Sequence, residues 1–168
     1  KGLGLVLPSN KPVFAAVIKA LQHPSAGVRR NAIQVLPNAD EATSALLVSK
    51  ILFDDHPQVR LAALLALSDL PASKDAAATL LGVMNAGFGS DRWLNDASIS
   101  AAANQGRYLI SVAAGLSKEL DETSLTTLQI VAEHFARSDS RDSIGSLLSS
   151  IKSARPKPLR AILTGLSN

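Results

Sequence analysis

The chain has 168 residues, 46% of them hydrophobic and only 18% charged, with a formal net charge of +3 and a sequence pI of about 9.5. It contains no cysteine, which excludes disulfides, thiolate metal sites, cysteine nucleophiles and covalent c-type haem attachment within it. No apolar run approaches the roughly 18–20 residues that span a bilayer. The mild, scattered basic charge, with aromatics at 4%, lacks the dense stripe and stacking residues of a nucleic-acid binder.

Ala and Leu favour helix, and few stretches are β-branched enough to suggest strands. The length suits one domain with a sizeable core. The chain opens with Lys1 and shows no signal peptide, so residues 1–168 read as one domain cut from a longer protein, or as a processed form.

Residues 1–9, with Gly2, Gly4 and Pro8, read as a lead-in. Ser9 or Asn10 caps a first helix in which Pro12 is tolerated and Val13, Phe14, Val17, Ile18 and Leu21 are expected inside. His23-Pro24-Ser25 makes a turn. A second helix then carries Val28, Arg29, Ala32, Val35 and Leu36 and stops before or at Pro37. The next pair begins at Asp40 or Glu41, where the helix dipole favours acids. It is expected to run through Leu46, Leu47, Ile51 and Leu52 before an Asp54-Asp55-His56-Pro57 turn. The helix after that turn places Val59, Ala62, Ala63, Ala66 and Leu67 on one face.

Ser73 caps a third pair through Leu80, Leu81, Val83 and Met84. A glycine-rich turn at 85–90 precedes a helix with Trp93, Leu94, Ala97, Ala101 and Ala102. Residues 10–104 are the clearest repeats and 105–168 are more degenerate. Helices are expected at 107–120, from the caps at 121–124 through Phe135, from Ser138-Asp139-Ser140 through Ile144 to Ile151, and again from Leu159. Val28 and Val59 lie 31 residues apart, as do Arg29 and Arg60; Leu46 and Leu80 are separated by 34 residues, and Val59 and Leu94 by 35. A drifting period of this length, with two helices in each unit, marks an α-solenoid of about five helix pairs.

The residues Asp54, Asp55, Pro57, Val59, Arg60, Ala63 and Leu67, and before them Pro24, Val28, Arg29, Ala32 and Leu36, resemble the HEAT repeat: an Asp- and Pro-rich turn, then a helix opening with Val-Arg. The first of these units departs in having Gln22 and His23 where the acids stand, with two extra residues in its turn. The third has Asn95 where Arg would sit. The resemblance implies an all-α, α-α superhelix, right-handed, whose free curved face binds protein. More weakly, the run Arg92-Trp93-Leu94-Asn95-Asp96-Ala97, residues 128–151 and the run Leu159 to Leu166 resemble the HEAT-like middle region of large exported bacterial proteins that join a dehydrogenase-like β-propeller to cytochrome c. That second resemblance alone implies a periplasmic or extracellular location.

Arg29, Asp54, Asp55 and Arg60 are read as structural groups linking repeats, with Arg60 near two acids and Arg29 near none in sequence. His23 and His56 each precede Pro and read as turn residues, since no metal-ligand spacing surrounds them. Asp54-Asp55 and Asp121-Glu122 are explained by capping, and Gly87-Phe88-Gly89 lacks the following Lys-Ser/Thr of a phosphate loop. No catalytic, cofactor or metal set emerges. Trp93 either packs beneath the glycine-rich turn, the favoured reading, or stands out as a partner anchor. Arg137, Arg141, Lys152, Arg155, Lys157 and Arg160 form a basic concentration: a solvated face, or a contact for an acidic protein or a phosphate backbone.

The reading is a non-catalytic scaffold that docks protein or neighbouring domains, without membrane insertion, and that self-associates through Leu3, Leu5, Val6, Ile162 and Leu163 at its ends. The alternative is a nucleic-acid-binding domain using the C-terminal basic residues. A third, enzymatic reading requires Glu133, His134 and Arg137 to meet in one cleft.

Overall fold

The computed structural model describes residues 11–88, 91–138, 145, 147–149 and 151–168. The lead-in at 1–9, the first cap at Ser9 or Asn10, Leu3, Leu5, Val6, Arg141 and Ile144 lie outside the described residues. The fold is all-α, and no strand occurs among the described residues. Packing divides the chain into two compact units, one of residues 1–71 with 90–101 and one of 72–89 with 102–168.

The first unit holds α1 (Lys11–Ala20), α2 (Ala26–Gln34), α3 (Asp40–Val48), a 3₁₀ turn (Ile51–Phe53), α4 (Pro57–Asp69) and most of α6 (Arg92–Asn104). The second holds α5 (Lys74–Ala86), α7 (Gly106–Gly115), α8 (Glu122–Ser138) and α9 (Pro156–Leu166). In the first unit α2 packs on α4, the second helices of successive pairs. In the second, α5 packs on α7 and α8, and α8 on α9.

Several helix starts follow from local chemistry. Ser73 Oγ accepts the Ala76 amide at 3.1 Å, Asp91 Oδ1 that of Leu94 at 3.1 Å and Asp121 Oδ1 that of Ser124 at 2.7 Å, each satisfying an orphan donor of a first turn. Ser25 holds the backbone position of a cap, but its hydroxyl caps nothing.

The helix boundaries depart from expectation in three places, the first being α9, which starts at Pro156 instead of Leu159 because prolines are tolerated in a first turn. α3 stops at Val48 instead of running through Leu52, because Lys50 adopts φ 55°, the left-handed region that breaks the helical hydrogen-bond row. α7 stops at Gly115 instead of reaching Leu120; Leu116 is already extended, although Leu120 returns to the core.

The core is aliphatic and small. Val59, Ala63, Leu64 and Leu67 of α4 are buried, so the stripe turns toward Leu64 and leaves Ala62 and Ala66 half-buried. Leu94, Ala97 and Ala101 of α6 are buried, as are Leu80, Leu81 and Met84 of α5. Two expectations about the interior are corrected, one for the residues of α1 and one for Val28. α1 buries no residue within its span, and only Leu21, just beyond it, is enclosed. Val28 remains 36% exposed.

Gly82 lies mid-helix in α5, exposed, and nothing stands within 4 Å of where its Cβ would be. Gly82→Ala therefore gains helix propensity at no steric cost. It is expected to raise stability by about 0.5–1 kcal/mol, read as an upward shift of the thermal midpoint by circular dichroism; an unchanged or lower midpoint contradicts an open position.

Candidate functional site

The residues singled out as links between repeats meet at the turns. Arg29 donates from Nε and Nη2 to both carboxylate oxygens of Asp54, at 2.6 and 2.7 Å, and from Nη1 to the carbonyls of His23 and Pro24 at 2.8 and 2.9 Å. The two side chains are 16% and 9% exposed, so this fork-to-fork pair lies largely out of water. It corrects the reading that Arg29 has no acid: its acid stands 25 residues along, in the next turn.

Burial pushes the Asp54 carboxyl up, but hydrogen bonds from Arg29 and from the His56 amide at 2.9 Å, with the charge of Arg29 and His56, outweigh it. The carboxyl therefore ionises below its usual range. The Arg29 guanidinium is held above its ordinary value, first by its hydrogen bond to Asp54, which outweighs burial, with help from the charges of Asp54 and Asp55.

Arg60 is corrected in the opposite sense. Its Nη1 donates to the Asp54 carbonyl at 2.9 Å, and its Nε is buried without a partner; it makes no ion pair with Asp54 or Asp55 among the described residues. Asp55 is exposed and makes no hydrogen bond there, contributing only its charge. Asn95 occupies the same helix position in the third turn and donates to the Asp91 carbonyl at 2.9 Å. Arg29, Arg60 and Asn95 thus each fasten the second helix to its own turn, and among the described residues Arg29 alone of the three also reaches the next.

His23 and His56 act alike: Nδ1 accepts the amide two residues on, Ser25 at 3.0 Å and Gln58 at 3.3 Å, spanning a proline that has no amide to give. At the opposite end of the same helices, Asn38 Nδ2 donates to the Asp69 carbonyl at 2.7 Å. A groove of about 480 Å³ opens beside it, lined by Val35, Leu36, Ala62, Leu65 and Ala66.

Trp93 is 71% exposed, which corrects the expectation that it packs. Leu94, Ala97 and Ala101 are buried on α6, and Trp93 stands at the margin of that stripe, about 100° from Leu94 and about 40° from Ala97 around the helix. Trp93→Ala is expected to change stability by less than about 0.5 kcal/mol; a marked drop in the thermal midpoint contradicts the exposed placement.

The basic concentration is partly consumed internally. Arg137 pairs with Glu133 at 2.6 Å along α8, and Arg155 binds Glu119 at 3.3 Å and the Ser117 carbonyl. Lys152, Lys157 and Arg160 are exposed and in no ion pair among the described residues. Glu133, His134 and Arg137 lie along one helix surface, Arg137 and His134 exposed. Of the described apolar residues assigned to self-association, Ile162 is fully buried on α9, the helix packed on α8, and Leu163 is exposed. Among the described residues no group of three or more His, Cys, Asp or Glu could hold a metal, and no helix is long and apolar enough to cross a membrane.

Sequence reasoning missed two features. The Arg29–Asp54 reach had a legible signal, the recurrence of Arg29 at Arg60, but the acid lies a repeat away. The other is the exposed row Lys74, Ala78, Gly82 and Ala86 on α5, whose spacing of four was visible.

A family model described as HEAT repeats matches residues 14–101, just over half of the chain. Comparisons with curated proteins and with solved structures return no match.

Proposed function

Because the chain belongs to the HEAT-repeat family, we propose that it is a non-catalytic scaffold that docks a protein, or a neighbouring domain of its own polypeptide, on its helix pairs. The observation that carries this reading is how the polar side chains are used. Arg29, Asp54, Arg60 and Asn95 are bonded to one another or to the backbone of the turns, and so are engaged in architecture. The large apolar groups left to water, Trp93 foremost, suit contact more than chemistry.

The narrower form of the proposal, a spacer in a larger exported redox protein, rests on the resemblance carried by residues 92–97, 128–151 and 159–166. A propeller encoded before these residues and a Cys-x-x-Cys-His after them supports it; their absence from the parent gene removes it.

The scaffold reading is tested with a photo-crosslinking phenylalanine analogue in place of Trp93 in the parent polypeptide. Cross-links to protein, from the same chain or another, are expected. Cross-links to nucleic acid alone contradict it. The nucleic-acid alternative draws on the exposed Lys152, Lys157 and Arg160. It requires duplex DNA binding that weakens steeply with added salt in an anisotropy titration.

A further inference from the structure

Two adjoining concavities in the second unit share residues 118–120. One, of about 180 Å³, lies between that loop and α5; the other, of about 250 Å³, lies between the loop and the start of α9. The wall on α5 is made of Ala78, Gly82 and Ala86, exposed and four residues apart, with Lys74 completing the row one turn earlier. Leu81, Leu116 and Leu120 supply apolar lining.

The loop is fastened on both sides. The Asp121 amide donates to Asn85 Oδ1 at 2.9 Å, and Arg155 donates to the Ser117 carbonyl and to Glu119. Glu119, which lines both concavities, is thereby paired with Arg155 while remaining exposed. Lys74, Lys118 and Lys157 are exposed and in no ion pair among the described residues. The track is therefore apolar and small along α5, with the exposed cations Lys118 and Lys157 on its loop side. Lys74, Asp75 and Glu122 lie nearby in sequence but do not line it.

We propose that this groove docks an acidic amphipathic helix from a protein partner, a proposal that rests on the scaffold reading. The small residues let a helix approach α5 closely, and Gly82 leaves open the space that a larger side chain would close. From Ala78 to Ala86 the track is about 12 Å long, roughly two helical turns. Carboxylates of the incoming helix face Lys118 and Lys157. This charge arrangement selects the partner and makes its association salt-dependent. The fastened loop lowers the ordering cost of binding.

The test uses the whole chain and a displayed library of peptides about four helical turns long, spanning acidic, neutral and basic compositions. Enriched peptides are measured by fluorescence anisotropy. Acidic amphipathic sequences should dominate and should lose about tenfold or more in affinity both in Gly82→Gln and in the Lys118→Glu/Lys157→Glu variant. Gly82→Gln removes an exposed helical glycine, so its thermal midpoint should not fall, which separates a filled groove from a damaged fold. Binders indifferent to Gly82→Gln overturn the groove while leaving the scaffold reading intact. Enrichment of basic or neutral peptides also overturns it. No enrichment of any kind overturns it too, and leaves the scaffold reading to the cross-linking test. Duplex DNA that binds wild type and Gly82→Gln equally but not the double-lysine variant assigns these cations to phosphates and likewise overturns the proposal.

Discussion

Gly165→Ala is expected to destabilise the second unit by about 3 kcal/mol, the upper part of the usual range for overpacking. A Cβ at this position overlaps the Gln129 carbonyl oxygen, and it stands 2.8 Å from Ala132 Cβ and 3.0 Å from the Glu133 amide nitrogen. Most of these are backbone atoms of α8, which cannot swing aside as a side chain would. The gain in helix propensity from Gly to Ala is about 1 kcal/mol, so the steric cost wins. α9 must lift from α8, loosening the burial of Ile162 and Pro158. The same substitution at Gly82 meets open space and should stabilise. Thermal or urea unfolding of the two variants side by side checks both signs, and a Gly165→Ala protein as stable as wild type contradicts the close α8–α9 crossing.

Asp54→Ala should cost about 3 kcal/mol, because it removes a bidentate partner and leaves a largely buried guanidinium with only the His23 and Pro24 carbonyls. It also removes the acceptor of the His56 amide. Asp55→Ala, one residue along, should stay within about 0.5 kcal/mol, since Asp55 is exposed and makes no hydrogen bond among the described residues. The pair carries a pH signature. The Asp54 carboxyl titrates lower in the fold than in the unfolded chain. Its contribution is therefore complete above the unfolded value of about 3.9 and is lost as pH falls through the folded value, because the unfolded state takes up the proton first. Wild type should lose its advantage over Asp54→Asn as pH drops below about 4, measured by chemical denaturation at a series of pH values. A constant gap across that range contradicts the assignment.

Much of the fold is legible because apolar spacing is a local property. Val59, Ala63 and Leu67, and Leu80, Leu81 and Met84, announce buried helix faces, and Ser73 and Asp91 announce starts. What escapes depends on conformation or on distant atoms. Lys50 ends α3 by adopting a left-handed backbone that its side chain does not advertise. Val28 fits the helical pattern yet stays exposed, since pattern alone does not say whether another element covers that face. Trp93 is undecidable from spacing because it borders the α6 stripe on a neighbouring bearing. Gly82 and Gly165 both read as weak helix residues, and only their surroundings tell an open groove from a close crossing. At the turns, the residue types Arg and Asp were visible, but their pairing was not. Arg60 has the nearer acids in sequence, whereas Arg29 has the geometry.

Successive helix pairs in the first unit are held in register where Arg29 of one turn grips Asp54 of the next, and a double-mutant cycle with Arg29→Gln and Asp54→Asn tests this most directly. Unfolding free energies of the four proteins should give a coupling of about 2 kcal/mol, with the double variant less destabilised than the sum of the single ones. Single effects that add to within about 0.3 kcal/mol would show that the two side chains do not act on each other, and would contradict the account.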